Sequence, residues 1–124
     1  MADRVVMERL RPWLWVAWWG MAVAGVATSL LPAAVAAPLY RGVMDGHFWP
    51  FALFSVVGVA AARPGEVWRV LVGMVLIGAG IEVAQLWVPG RACEWVDLRD
   101  DGVGVGLGWV VVRVVGLVRT WNAD

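Results

Sequence analysis

A chain of 124 residues sets a prior of one domain. Hydrophobic residues make up 61% of it, charged residues only 16%, and the mean hydropathy is +0.74. Soluble domains carry about 25% charged residues, so polar side chains are too few for a water-facing shell and the bilayer is the expected solvent. The formal net charge is zero, which excludes the basic excess that marks a nucleic-acid partner. Cys93 is the only cysteine, so neither an intrachain disulfide nor a cysteine-based metal site is available, and a small residue at a loop or interface is its plainer reading. No metal or cofactor is expected.

The predicted fold is all-α: a polytopic membrane protein built as a bundle of four transmembrane helices in a single domain. The first span covers residues 13–31, in an uncharged stretch between Arg11 and Arg41. Pro32 and Pro38 mark its end. Ala34-Val35-Ala36 has the form of a signal-peptidase site, but the apolar run exceeds the ~7–15 residues of a signal peptide, which favours a retained span. The second span, residues 48–62, reaches only ~22 Å at ~1.5 Å per residue, short of the ~30 Å hydrocarbon core. It spans if His47, Trp49 and Arg63 sit in the interfaces. Pro50 falls in its first turn, where a missing N–H is tolerated.

The third span, residues 67–88, carries Glu82 and Gln85. The fourth, residues 102–118, opens on glycines alternating with Val and Leu. That alternation imitates a strand, but a lone strand in lipid leaves its backbone unpaired, so a helix is predicted. Gly104 and Gly108 form a small-xxx-small pair that permits close helix contact. The ten tryptophans read as anchors at the bilayer interface. Arginine bias sets the orientation: with both termini in the cytoplasm, six arginines lie inside and Arg41, Arg91 and Arg99 outside. The loop from Pro89 to Asp101 is then extracellular.

An acid at the centre of a membrane helix costs ~2.5–3.5 kcal/mol, so Glu82 needs a partner, a proton or a polar cavity. Gly78, Glu82 and Gln85 share one helical face. They read equally well as a ligand-contacting cluster and as a hydrogen-bonded pair joining two helices. Arg91, Glu94, Asp97 and Asp101 would share a face if helical. The alternative is a solvated loop with Asp100 and Asp101 at the start of the last helix, where the dipole favours negative charge.

Glu82-x-x-Gln85, Pro89-Gly90-Arg91, Asp97, Asp101-x-x-Gly104 and Gly108 together resemble the signature of the VanZ-like family, membrane proteins named after an accessory factor in teicoplanin resistance. Ser29 to Pro32, at the end of the first span, and Asp45-Gly46-His47-Phe48, before the second, resemble family elements more loosely. The resemblance covers most of the chain, and its specific part runs from Glu82 to Gly108. Asp101 stands where the family usually has Asn, and Glu94 where it has a small polar residue, so this loop is more acidic than the family pattern.

The resemblance implies a multi-pass protein of the bacterial cell membrane that lowers susceptibility to teicoplanin-type glycopeptides. Its expected partners are the lipid bilayer and a lipid-linked cell-wall precursor, a lipid headgroup or a glycopeptide-related ligand. Arg91 would contact the anion, because a guanidinium offers a bidentate fork to phosphate or carboxylate. Glu82, Gln85, Asp97 and Asp101 would complete the pocket, and His47 is a weaker candidate at the interface. Two other classes compete. A membrane-embedded enzyme acting on a phosphorylated lipid would use Glu82 as acid or base, with Asp97 and Asp101 on a divalent cation. An accessory subunit would instead present the Gly104/Gly108 face to a partner helix.

Overall fold

The computed structural model describes residues 2–40 and 48–121, with side chains described over 4–38 and 48–116. His47 and Asp45 lie outside the described residues. Apolar runs that must satisfy every backbone group locally form helices here: α1 (Ala2–Ser29), α2 (Ala33–Tyr40), α3 (Phe48–Ala61), α4 (Val67–Gln85) and α5 (Trp95–Trp121). A single 3-10 turn, Pro64–Glu66, joins α3 to α4. No strand forms among the described residues, and the glycine alternation of residues 102–108 is helical.

Side-chain contacts fix the directions. Arg11 Nε donates to the Ala61 carbonyl at 3.1 Å, which sets the early part of α1 beside the end of α3. Gln85 Nε2 donates to the Ser29 carbonyl at 3.0 Å, which sets the end of α4 beside the end of α1. Gly104 lies against Phe48 and Gly108 against Ser55, so α3 and α5 run parallel. The chain thus passes back and forth through α1, α3, α4 and α5. Pro64–Gln85 is the one described helical stretch long and apolar enough to cross a membrane by length and composition, and α3 is a shorter apolar helix.

α3 sits in the middle, packed on α1, α4 and α5. A helix hydrophobic all round belongs in a core, and Phe51, Ala52, Phe54, Ser55, Gly58 and Val59 are all buried. Glycine lets its neighbours come close. A Cβ on Gly104 would fall on the Phe48 carbonyl oxygen, and one on Gly108 would stand 2.5 Å from both the Ala52 oxygen and Ser55 Cβ. Ser55 Oγ donates to the Val105 carbonyl at 2.7 Å, a buried bond between the same two helices.

The structure departs from the predicted spans at their ends. α1 starts well before Trp13 and runs through Pro12. The chain breaks at residues 30–32, as Pro32 implies, but Pro38 lies inside α2 and does not stop it. α4 ends at Gln85, three residues early, because the amides of residues 86–88 bond three residues back and the chain then turns through Gly90 at φ +74°. α5 starts seven residues before the predicted 102. Asp97, Asp100 and Asp101 are therefore within the helix, and Asp100 and Asp101 do not cap its N-terminus.

Trp18 departs from the interface expectation as well. It is buried, stacks on Phe54 with ring centroids 4.8 Å apart, and fills a notch left by Gly58. A large aromatic ring contributes through the area it buries and through its ring contacts. Trp13, Trp19, Trp49, Trp68, Trp87 and Trp95 are exposed.

Gly108→Leu forces α3 and α5 apart, and overpacking of this kind destabilises by about 1–3 kcal/mol or more. Thermal unfolding in detergent should show a clearly lowered midpoint for Gly108→Leu. Gly106→Leu should leave the midpoint near wild type, because nothing lies within 4 Å of a Cβ placed at Gly106.

Candidate functional site

Helix ends in an apolar chain leave main-chain donors and acceptors without intrahelical partners. The motif residues gather where such ends meet. Glu82 and Gln85 lie in the last turn of α4, with Gln85 its final residue, and both are buried. Gln85 supplies a donor to Ser29 in the last turn of α1. Glu82 Oε2 accepts the Glu94 N–H at 2.9 Å. Glu94 immediately precedes α5, and its carbonyl accepts the N–H groups of Asp97 and Leu98. The Glu82 carboxylate thus secures the start of α5, at the positive end of that helix's dipole.

Arg91 ties the loop to α1. Its Nε donates to the Leu31 carbonyl at 3.2 Å. Close by, the Ala33 N–H donates to the Pro89 carbonyl at 3.3 Å. Gly90 is needed twice over here, for its positive φ and because a Cβ would stand 3.1 Å from Ala33 Cβ. Arg91 Nη2 is buried and makes no hydrogen bond among the described residues. A guanidinium has five donors, and this arrangement uses Nε for architecture and buries Nη2 at the same polar end.

Asp101 is fully buried against α4. Gly78 makes the room, since a Cβ there would stand 2.6 Å from Asp101 Oδ2. Asp97, in the first turn of α5, is half-buried and suits the helix dipole. Glu82, Gln85, Arg91, Asp97 and Asp101 therefore all belong to one end of the bundle. Gly104 and Gly108 lie deeper, against α3, so a partner helix on that face would have to displace α3. Among the described residues no three His, Cys, Asp or Glu side chains group as a metal site. Cys93 is exposed on the loop.

Sequence reasoning missed two polar ties. Ser55 holds α3 to α5 and Arg11 holds α1 to α3. A lone hydroxyl inside an apolar run was the available signal for Ser55, since a buried hydroxyl must find an acceptor. Arg11 carries no such signal, since in the sequence it reads as a charge bounding the first span.

The architecture is that of a small all-helical protein whose apolar helices are joined at one end by a buried polar cluster. The sequence model of the VanZ/LLP1 family matches residues 6–116, and the chain belongs to that family. Neither a curated protein nor a solved structure matches it.

Gly78→Val places its side chain against the Asp101 carboxylate and should destabilise the α4–α5 contact by about 1–3 kcal/mol. Gln85→Leu removes the donor to Ser29 and should cost a similar ~1–3 kcal/mol, the penalty of a buried acceptor left unsatisfied. Unfolding midpoints in detergent measure both, and a wild-type midpoint for either variant contradicts the contact assigned to it.

Proposed function

We propose that this protein is a four-span VanZ-like protein of the bacterial cell membrane. Its outward-facing polar end binds an envelope lipid or lipid-linked cell-wall precursor, which lowers susceptibility to teicoplanin-type glycopeptides. The observation that carries this reading is Arg91, held at Nε by the Leu31 carbonyl with a second, buried nitrogen that has no hydrogen-bond partner among the described residues. An anchored guanidinium loses little freedom on binding an anion, and its planar fork suits phosphate or carboxylate.

The bilayer setting is supported by the exposed tryptophans. Trp68, in the first turn of α4, and Trp87, two residues past its end, are 60% and 77% exposed. The helix from Trp68 to Gln85 rises ~26 Å, close to the ~30 Å hydrocarbon thickness that interfacial tryptophans bracket. Exposed Val16, Val23, Leu53, Leu76 and Val110 between those levels are natural against lipid tails. In this setting the polar cluster lies at the outer interface, where a headgroup or precursor phosphate is at the right depth. Family membership supports the role at the envelope.

The test is expression in a glycopeptide-susceptible host. Wild type should reduce teicoplanin susceptibility, Arg91→Ala should abolish that protection at equal membrane level, and Arg91→Lys should retain only part of it. Full protection by Arg91→Ala, or none by wild type, rejects the proposal.

A further inference from the structure

α1 outruns the helices it packs on. Arg11 Nε donates to the Ala61 carbonyl, so Arg11 stands level with the end of α3. Ala2–Leu10 continues the helix past that level by ~14 Å at the helical rise. Every described side chain in that stretch is exposed except Met7, which is half-buried. Val6, Leu10 and Trp13 are exposed and spaced by four and then three, so they form one apolar stripe. Arg4, Glu8 and Arg11 repeat that spacing on the opposite face, while Arg9 flanks the stripe beside Val6 and Trp13. Because Arg11 reaches α3 from its own face, the stripe points away from the bundle.

The charge at this end is basic. Arg4, Arg9, Arg63 and Arg69 are exposed and make no ion pair among the described residues. Arg11 and Glu8 are bonded at 2.7 Å and cancel one another. Asp3 and Glu66 are the other carboxylates of these two segments, so the end stays net positive. Arg69 lies over the exposed Trp68 ring at 5.5 Å, and an indole beside a guanidinium suits a headgroup layer. An apolar stripe with arginine beside it is the pattern of a helix lying in a membrane surface. Pro12 adds freedom to move. It offers no N–H to the Glu8 carbonyl, so one backbone bond is missing where α1 leaves the bundle, and the leading turns can tilt there.

We propose that residues 2–11 tilt about Pro12 and lie on the anionic lipid surface of the adjacent leaflet. Val6, Leu10 and Trp13 enter the upper acyl chains, Arg9 at the edge of the stripe meets headgroup phosphates, and Arg4 acts from the upper face through the field. A helix projecting straight from the bundle leaves Val6 and Leu10 in water. Tilting away from α3 buries them and brings Arg9 to the phosphates in the same motion. The proposal rests on the bilayer-embedded reading above and is independent of what Arg91 binds, since Arg91 lies by the other end of α1.

The full chain is placed, one copy to a disc, in lipid nanodiscs of phosphatidylcholine alone or of equimolar phosphatidylcholine and phosphatidylglycerol. Hydrogen–deuterium exchange of residues 2–11 is followed by mass spectrometry. Exchange should be roughly fivefold slower in the anionic discs, the effect of about one arginine held at an anionic surface. High salt should shrink the difference. Arg9→Gln should remove most of it and Arg4→Gln less, while Leu10→Gln should speed exchange in the anionic discs. All three side chains are exposed, so the unfolding midpoints should stay near wild type. Both disc surfaces carry the same lipid, so the outcome does not depend on which end faces the cytoplasm, and a failure here leaves the Arg91 reading standing. Equal exchange in the two kinds of disc overturns the proposal, as does an undiminished difference in Arg9→Gln. Protection that appears only with two copies in a disc gives the stripe to a second copy and overturns it equally. A chain that enters neither kind of disc overturns the bilayer reading as well.

Discussion

The constraint on which this fold depends is that helix ends in an apolar chain must find partners for their main-chain groups. The chain has few polar side chains, and it uses them there. Gln85 bonds to the end of α1, Arg91 to the residue two beyond that end, Arg11 to the end of α3, and Glu82 to the amide that precedes α5. Each of these bonds joins a side chain to main chain of another segment and so ties that segment to a helix end. Leaving such a group buried and unpaired costs about 1–3 kcal/mol, comparable to a well-packed core side chain. A handful of polar residues thus sets the register of the whole bundle.

Within that frame the glycines decide how near the helices come. Gly104 and Gly108 let α5 lie almost backbone to backbone on α3, and Gly58 admits the Trp18 ring between α1, α3 and α4. Gly78 performs the same service for a carboxylate, giving Asp101 its buried place beside α4. Architecture and the proposed binding site therefore share residues at the polar end. Glu82 and Gln85 are explained by the helix ends they secure, whereas Arg91 has a structural nitrogen and a further buried one on which the proposed anion binding rests.

Much of this was legible in the sequence because apolar runs, prolines and glycine spacing are local signals. The four long helices follow the predicted apolar segments, and Gly78, Glu82 and Gln85 share the face that their spacing implies. What escaped was set by contacts between distant segments. Asp97, Asp100 and Asp101 look like loop residues, yet α5 already runs through them because Glu82 secures the Glu94 amide. Trp18 has the same composition-level meaning as Trp19 one residue on. Only the notch at Gly58, forty residues later, makes one of them core and leaves the other exposed. Likewise nothing near Arg91 indicates that the Leu31 carbonyl lies beside it.

The central claim is that the polar end of the bundle faces the outside of the cell, and exposed Cys93 on the Arg91–Glu94 stretch reports on it directly. Intact cells expressing the protein would be treated with a membrane-impermeant maleimide, with lysed cells as the reference. Labelling of Cys93 in intact cells to the extent seen after lysis is the predicted result. Labelling only after lysis would place the cluster in the cytoplasm and contradict the account.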